Sequence, residues 1–313
     1  MTRIAAGGGA LGLALILVFS LHAQERGKPD PDSDAPVVYP SLVVDAEVIR
    51  ASPSSEKCFK CHGSEPESVE WAASGHAHNL AALRAAVNGA DSCLGCHSSG
   101  YRAAAPSGWG RQRPAATVTL EAAINEVACS SCHSHAYEDT PDYLIRPVAD
   151  TCITCHKMDC GCAGKGIIHQ SQAEMFLGVL GNGVTDTPSK HADDMDGDCA
   201  VCHMYRPDDT EGIALEEGGH TFKATMASCV PCHEDAAERT SASKAEIETL
   251  LARAERLLAA AASESDTGTT YDSARTNIDM VKADAGHGFH NPTYAILLIE
   301  RAIEYLGADG ADE

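Results

Sequence analysis

The pentapeptide Cys-x-x-Cys-His occurs six times between residues 58 and 233 of this 313-residue chain. Such a motif is typical of c-type haem attachment, in which both thiols bond to the vinyl groups of one porphyrin and the adjacent histidine ligates the iron. The sequence therefore predicts six covalently bound haem c groups. The predicted attachment residues are Cys58, Cys61, His62, Cys93, Cys96, His97, Cys129, Cys132, His133, Cys152, Cys155, His156, Cys199, Cys202, His203, Cys229, Cys232 and His233.

Disulfides and zinc are the other common uses of closely spaced cysteines. An exported chain could pair its 14 cysteines, but a disulfide framework does not require a histidine after every second cysteine. Zinc sites usually combine two Cys-x-x-Cys units, or one unit with a distant pair of histidines. Each unit here has its own adjacent histidine, so haem attachment explains more of the pattern than either alternative.

Residues 1–23 have the composition of an export signal. Arg3 is the only early positive charge, the stretch from Ile4 to Leu21 is uncharged and apolar, and Ala23 offers a cleavage position. The apolar run is also at the lower length limit for a membrane span, so a cleaved signal and a retained N-terminal anchor both stay open. In either case we expect a periplasmic or otherwise extracytoplasmic protein.

The rest of the chain divides by composition into three further parts. Residues 24–50 are expected to form a flexible leader, because their first part is rich in Pro, Asp and Gly. Residues 51–235 carry all six motifs and are predicted to form a hexahaem core. Residues 236–313 are predicted to be a C-terminal helical segment that completes this core.

Composition also limits the core and the partners. Aromatic residues make up only 5% of the chain, so we expect six macrocycles to supply the missing apolar surface and the apoprotein not to fold. The formal net charge of −22 argues against a nucleic-acid partner, because such binding needs a basic face. The acidity fits simple solubility as well as attraction to basic redox partners.

Periodicity predicts a mainly α fold with much irregular structure. Short helices are predicted at Leu80 to Val87 and at Val118 to Val127, and strand signals are few. Three longer helices are predicted after the last motif: Lys244 to Ala262, a second around Tyr271 to Val281, and a third that Asn291 caps and that ends at Leu306. These form a hairpin or bundle that either packs on the haem core or mediates a homo-oligomer.

Histidines outside the motifs are candidates for the second axial ligand of each iron. A buried low-spin haem needs a second strong-field ligand, and an iron with two protein ligands works by electron transfer. His135 lies too close to His133 to reach over the same haem, so we expect it to ligate a neighbouring one. The predicted distal ligands are His76, His135, His169, His191, His220 and His290, with His78 and His287 as alternates.

Two cysteines, Cys160 and Cys162, lie outside the six motifs. A disulfide, a thiolate ligand to a haem or another metal, and a redox-active thiol pair handling sulfur compounds all stay open for them.

Several segments resemble those of a known superfamily. The segment from Gly288 to Pro292, followed by an apolar helix, resembles the C-terminal part of pentahaem cytochrome c nitrite reductases and of related octahaem tetrathionate and hydroxylamine-converting cytochromes. The segments Cys199 to Met204 and Gly219 to Phe222 resemble other stretches of multihaem cytochromes. The resemblance covers residues 56–306 and implies that His290 ligates a haem from its distal side. The nitrite reductases have five haems and mostly a Cys-x-x-Cys-Lys motif at the catalytic one, a motif that this chain lacks.

The sequence thus predicts an exported hexahaem cytochrome of anaerobic respiration that passes single electrons through mostly bis-histidine haems. Its expected donor is a quinol-oxidising membrane cytochrome or another cytochrome, and its expected acceptor is a terminal reductase or an extracellular acceptor. No catalytic residue is assigned. The alternative is an enzyme with one open iron that reduces or oxidises a small nitrogen or sulfur oxyanion, such as nitrite, hydroxylamine or tetrathionate. A third interpretation is a subunit of a haem filament or membrane conduit.

Overall fold

The computed structural model describes residues 53–99, 119–158, 168–195, 198–263 and 268–307. These residues fall within one compact unit, Ser41–Glu313. They form helices, turns and irregular segments, with a single isolated β-bridge between His133 and Leu144. The predicted mainly α and irregular fold is confirmed. None of the helices in the described ranges has the length and apolar character of a membrane span.

We call residues 53–235 the motif region, and its described residues form eight short α-helices and several single turns of 3₁₀-helix. The α-helices are α1 (Pro53–His62), α2 (Pro66–Ala72), α3 (Asn79–Ala85), α4 (Leu94–His97), α5 (Val148–Ile153), α6 (Gln172–Leu177), α7 (Lys190–Asp194) and α8 (Ala200–His203). The 3₁₀ turns are Gly75–His78, Asp91–Cys93, Cys129–Ser131, Pro141–Tyr143, Asp208–Thr210, Gly219–Thr221 and Met226–Ser228.

Residues 236–307, which we call the C-terminal bundle, contain three longer helices: α9 (Ala236–Ser263), α10 (Thr269–Ala283) and α11 (Pro292–Tyr305). All three predicted helices are confirmed, although α9 begins before the predicted start. The side chain of Asn291 accepts a hydrogen bond from Tyr294 N at 3.1 Å and caps α11 as predicted. All three helices contact one another around a fully buried apolar core.

The bundle packs against the motif region, as one of the two alternatives predicts. The hydroxyl of Ser171 donates to Met280 O at 2.6 Å, and the phenol oxygen of Tyr294 accepts from Gly181 N at 2.7 Å. Met175 of α6 joins the apolar core of the bundle. Assembly of several copies through these helices stays a prediction.

One predicted helix, Val118 to Val127, is wrong for the residues that the structure describes. The chain makes a turn there and then runs irregularly. Its backbone groups bond to other segments: Leu120 N donates to Asp91 Oδ1 at 2.6 Å, and Val127 N donates to His76 O at 3.2 Å. These tertiary hydrogen bonds replace the local bonds that a helix would need. The helix predicted at Leu80 to Val87 is confirmed as α3.

Candidate haem sites

Every motif histidine faces one histidine from elsewhere in the chain, and the six pairs share no member. We number the sites 1 to 6 by the order of their motifs. The pairs, with ring-centroid distances, are His62 with His135 (6.2 Å), His97 with His169 (6.4 Å), His133 with His220 (6.1 Å), His156 with His76 (6.1 Å), His203 with His290 (5.9 Å) and His233 with His191 (5.9 Å).

The spacing of these pairs fits one iron between two imidazoles. An imidazole nitrogen ligates a metal at about 2.0 Å and lies about 1.1 Å from its ring centroid, so two rings on opposite sides of one iron have centroids about 6.2 Å apart. The observed distances run from 5.9 to 6.4 Å. No group of three or more His, Cys, Asp and Glu side chains in the described ranges could hold a metal ion. The centroid distances of the pairs fit haem iron held between two histidines.

The local backbone of the motifs is a single tight turn. The nitrogen of the motif histidine donates to the carbonyl of the first cysteine at 2.9 Å in His133, 3.0 Å in His156, 3.1 Å in His203 and 2.9 Å in His233. This turn brings the histidine and both thiols of one motif to the same porphyrin. The motif of site 1 ends α1, and that of site 2 overlaps α4.

Hydrogen bonds at Nδ1 orient several of the paired imidazoles. His133 Nδ1 lies 2.7 Å from Asp142 O, and His203 Nδ1 lies 2.9 Å from Phe222 O. His290 Nδ1 bonds to Oδ1 of the fully buried Asp284. When Nδ1 donates to such an acceptor, Nε2 is left as the free lone pair that can ligate iron.

Burial keeps several of these imidazoles in the neutral form that ligates metals. Desolvation and, to a smaller extent, the neighbouring His156 lower the pKa of His76 to about 4. Desolvation is also the main cause of the lowered pKa of His97, His156 and His220. At His290 burial acts in the same direction, but the hydrogen bond and charge of Asp284 outweigh it and raise the pKa.

The alternates His78 and His287 are placed differently. Nε2 of the exposed His78 lies 3.1 Å from Ala72 O. His287 has a left-handed φ of 49° in the turn between α10 and α11. Neither ring contacts a motif histidine in the part of the chain that the structure describes. The other two cysteines, Cys160 and Cys162, the predicted signal and the predicted leader lie outside the described residues.

Two buried carboxylates that sequence reasoning missed hold the loops that carry paired histidines. Glu70 accepts from Arg206 Nη2 at 2.5 Å and from His220 N at 2.8 Å, so it ties α2 to the turn of site 3. A Cβ at Gly219, whose φ is +50°, would lie 2.2 Å from Glu70 Oε2, so only glycine fits there. The one sequence feature that could have indicated burial of Glu70 is its position next to Trp71 in a short helical stretch.

The second buried carboxylate is Glu126. It accepts hydrogen bonds from Leu80 N and Ala81 N at the start of α3, just after the turn that carries His76. Burial raises its pKa, and these hydrogen bonds act against the rise. A carboxylate at a helix N-terminus satisfies backbone donors that have no partner within the helix. Glu126 thereby fixes the segment that carries His76.

Comparison with known proteins gives a family match and four similar chains of known structure, two of which are described here. A model of the doubled CXXCH motif matches residues 122–159, which contain the motifs of sites 3 and 4. No sequence among curated proteins matches the chain. The crystal structure of the outer cell wall cytochrome OcwA is similar with a TM-score of 0.63 and 27% identity, over 77% of this chain and 50% of that one.

An undecahaem cytochrome from the S-layer of Carboxydothermus ferrireducens is also similar in fold, with a TM-score of 0.63 and 23% identity, over 82% of this chain and 46% of that one. The chain thus spans about half the length of both structures. The resemblance to the nitrite reductase superfamily stays a prediction. Because a doubled CXXCH motif and the fold of the outer cell wall cytochrome occur together in one polypeptide, the comparisons support a multihaem c-type cytochrome that binds haem c through Cys-x-x-Cys-His motifs.

Proposed function

We propose that this protein is a hexahaem cytochrome that transfers single electrons along a series of bis-histidine haems. The pairing of all six motif histidines carries this proposal. Two imidazoles complete the axial coordination of an iron and leave no position for a substrate. Such sites support electron transfer more directly than chemistry on a bound molecule.

In this proposal the corresponding residues have the same roles at all six sites. The two motif cysteines attach the haem, and the motif histidine and its paired histidine ligate the iron from opposite sides. The haem supplies one-electron chemistry when bound. The chain's own residues orient the imidazoles, as Asp142, Phe222 and Asp284 do, and exclude water from the buried pairs.

The location and partners are proposed from the sequence and from the similar structures. The N-terminal signal supports export, cleaved or retained as an anchor. One similar structure is described as an outer cell wall cytochrome and the other as an S-layer cytochrome, which supports a place outside the cytoplasm. The net charge of −22 favours docking to basic surfaces of redox partners, such as a quinol-oxidising membrane cytochrome or a terminal reductase.

The first test counts haems and open irons in the exported protein. Mass spectrometry is expected to show the mass of six haems, and electron paramagnetic resonance of the oxidised protein is expected to show low-spin iron only. A high-spin signal together with turnover of nitrite, hydroxylamine or tetrathionate would establish the enzyme alternative instead. Fewer than six haems would contradict the proposed stoichiometry.

A pair of variants tests the histidine assignments. His169→Ala removes the partner of His97 and is expected to convert one of the six irons to high spin. His78→Ala is the matched control, because His78 contacts no motif histidine among the described residues, and its spectrum should equal that of the unmodified protein. A low-spin spectrum in the His169 variant would remove His169 from the ligand set.

A further inference from the structure

Thiols that belong to different motifs contact one another, and these contacts report which sites are neighbours. A thioether sulfur lies at the edge of its porphyrin, so two touching sulfurs place two haem edges side by side. The contacts do not follow the order of the motifs along the chain. The inference drawn from these contacts rests on the proposed function in one respect, namely that each motif carries a haem.

Sites 1 and 3 are neighbours, although the motif of site 2 lies between them in the sequence. The sulfur atoms of Cys58 and Cys129 lie close enough to interact. Helix α1, which carries the motif of site 1, contacts the turn Cys129–Ser131. The partner of His62 is His135, which follows the motif of site 3 by two residues. Three independent features therefore join sites 1 and 3.

Site 4 contacts site 2 and site 5 through its two thiols. The sulfur of Cys155 lies next to that of Cys96 of site 2, and the sulfur of Cys152 lies next to that of Cys199 of site 5. The backbone agrees with the first contact: Ala173 N donates to His156 O at 3.1 Å, and this segment carries His169 of site 2. The two thiols of one motif thus face two different neighbours.

Site 4 also lies beside site 3. The ring of Phe222 contacts His76 of site 4 at 4.6 Å and His220 of site 3 at 5.7 Å between centroids. The carbonyl of Phe222 bonds to His203 of site 5. Phe222 has a left-handed φ of 57°. In this conformation its ring contacts histidines of sites 3 and 4, and its carbonyl bonds to a histidine of site 5. Sites 3, 4 and 5 therefore converge on one residue.

Sites 5 and 6 are neighbours, because one serine hydroxyl contacts a cysteine of each site. The hydroxyl of Ser228 lies 3.9 Å from Cys229 Sγ of site 6 and also bonds to Cys202 of site 5. Among the 12 described motif cysteines, Cys61 of site 1 and Cys232 of site 6 are the exposed ones. Both ends of the series are thus the sites whose thiols reach the surface.

We propose that site 4 is a three-way junction, with the haems ordered 1–3–4–5–6 in space and the haem of site 2 as a side branch. Electrons then enter and leave at sites 1 and 6, and site 2 provides a third route to the junction. Site 2 also contacts the motif of site 3 through the hydroxyls of Ser99 and Ser131, 2.7 Å apart. That contact joins two hydroxyl groups, whereas the thiol of site 2 lies next to a thiol of site 4.

The direct test is an experimental structure of the exported holoprotein with each iron assigned through its attached cysteines. The iron of site 4 is expected to have those of sites 2, 3 and 5 as its three nearest neighbours. An order that follows the sequence, or a site 2 iron closer to site 3 than to site 4, would overturn the junction. A protein with fewer than six haems would instead overturn the proposed function.

A kinetic test uses the full holoprotein with a photoreductant on Lys60 beside site 1 and an electron acceptor on Glu234→Cys beside site 6. A methionine ligand raises the haem potential, so His76→Met is expected to trap electrons at site 4 and slow end-to-end transfer about tenfold or more. His169→Met is expected to slow transfer less, because site 2 lies off the direct route. His78→Ala is the control with the unmodified rate. Equal slowing by both methionine variants would contradict the branch.

Discussion

The motif region and the C-terminal bundle are folded by different means. The bundle has a continuous core in which Ile278, Tyr294, Leu298 and Ile299 are at most 1% exposed. Among its described residues, the motif region has two small apolar clusters of its own, one around Leu80 and one around Trp71. A chain segment this poor in buried apolar surface cannot offset the entropy of ordering its backbone. We therefore expect bound haems to supply the missing core of the motif region, whereas the bundle has a core of its own.

Polar contacts differ in the same way. In the bundle the long helices satisfy their backbone groups internally. In the motif region buried carboxylates such as Glu70 and Glu126 bond to backbone groups of distant loops. These loops carry the paired histidines, so their conformation depends on a few buried charged contacts. Four predictions test this difference between the two regions.

Loss of the haems is expected to have the largest effect on folding. It should unfold the motif region and leave the C-terminal bundle helical. We expect a chain produced without haem attachment to lose hydrogen-exchange protection throughout the motif region, while α9, α10 and α11 keep helical circular dichroism. The reason is that, in the part of the chain that the structure describes, the bundle has a large continuous apolar core whereas the motif region has two small clusters. Protection of the motif region in the haem-free chain would show that the haems are not its core.

The substitution Glu70→Gln is expected to have the next largest effect, a loss of stability of the holoprotein. Breaking a buried charged contact costs about 3–5 kcal/mol, because the partner charge loses its compensation. The matched control is Glu67→Gln: Glu67 lies 3.8 Å from the same Arg206 with its side chain 44% exposed, so about 0–1 kcal/mol is expected. Denaturant unfolding of both holoproteins measures the difference. Equal losses would mean that burial of Glu70 does not stabilise the loop of His220.

Asp284→Asn tests the point where the bundle meets a haem site. Loss of the charged hydrogen bond to His290 is expected to cost about 1.5–3 kcal/mol of stability. A carboxylate partner makes an imidazole a stronger donor, so the variant is also expected to raise the potential of one haem. Spectroelectrochemical titration measures the shift, with the exposed Asp272→Asn on the same helix as control. An unchanged set of potentials would argue against His290 as a ligand.

Lys282→Met is expected to have the smallest effect. Lys282 Nζ lies 2.5 Å from Glu255 Oε1 between α10 and α9, but the two side chains are 49% and 43% exposed. Such a surface ion pair contributes about 0.2–1 kcal/mol and weakens with salt. Thermal unfolding at low and high ionic strength measures it. A loss of several kcal/mol would show that the bundle depends on surface charge and not on its apolar core.

Local features were predictable from the sequence. The three bundle helices follow from apolar periodicity and from the cap at Asn291, since both act within a few residues. The same reasoning failed at Val118 to Val127, where hydrogen bonds to Asp91 and to His76 override a weak helix signal. Glu70 was missed because its partners Arg206 and His220 lie 136 and 150 residues further along the chain.

By itself the sequence determined the attachment chemistry, the six motifs and the set of candidate second histidines, because each depends on residue type and short spacing. Only the tertiary structure decided that His135 faces His62, that His290 faces His203, and that the thiols of site 4 touch two other sites. These contacts join residues far apart in the chain. Their geometry is set by how turns and buried carboxylates fold the loops, which no local pattern encodes.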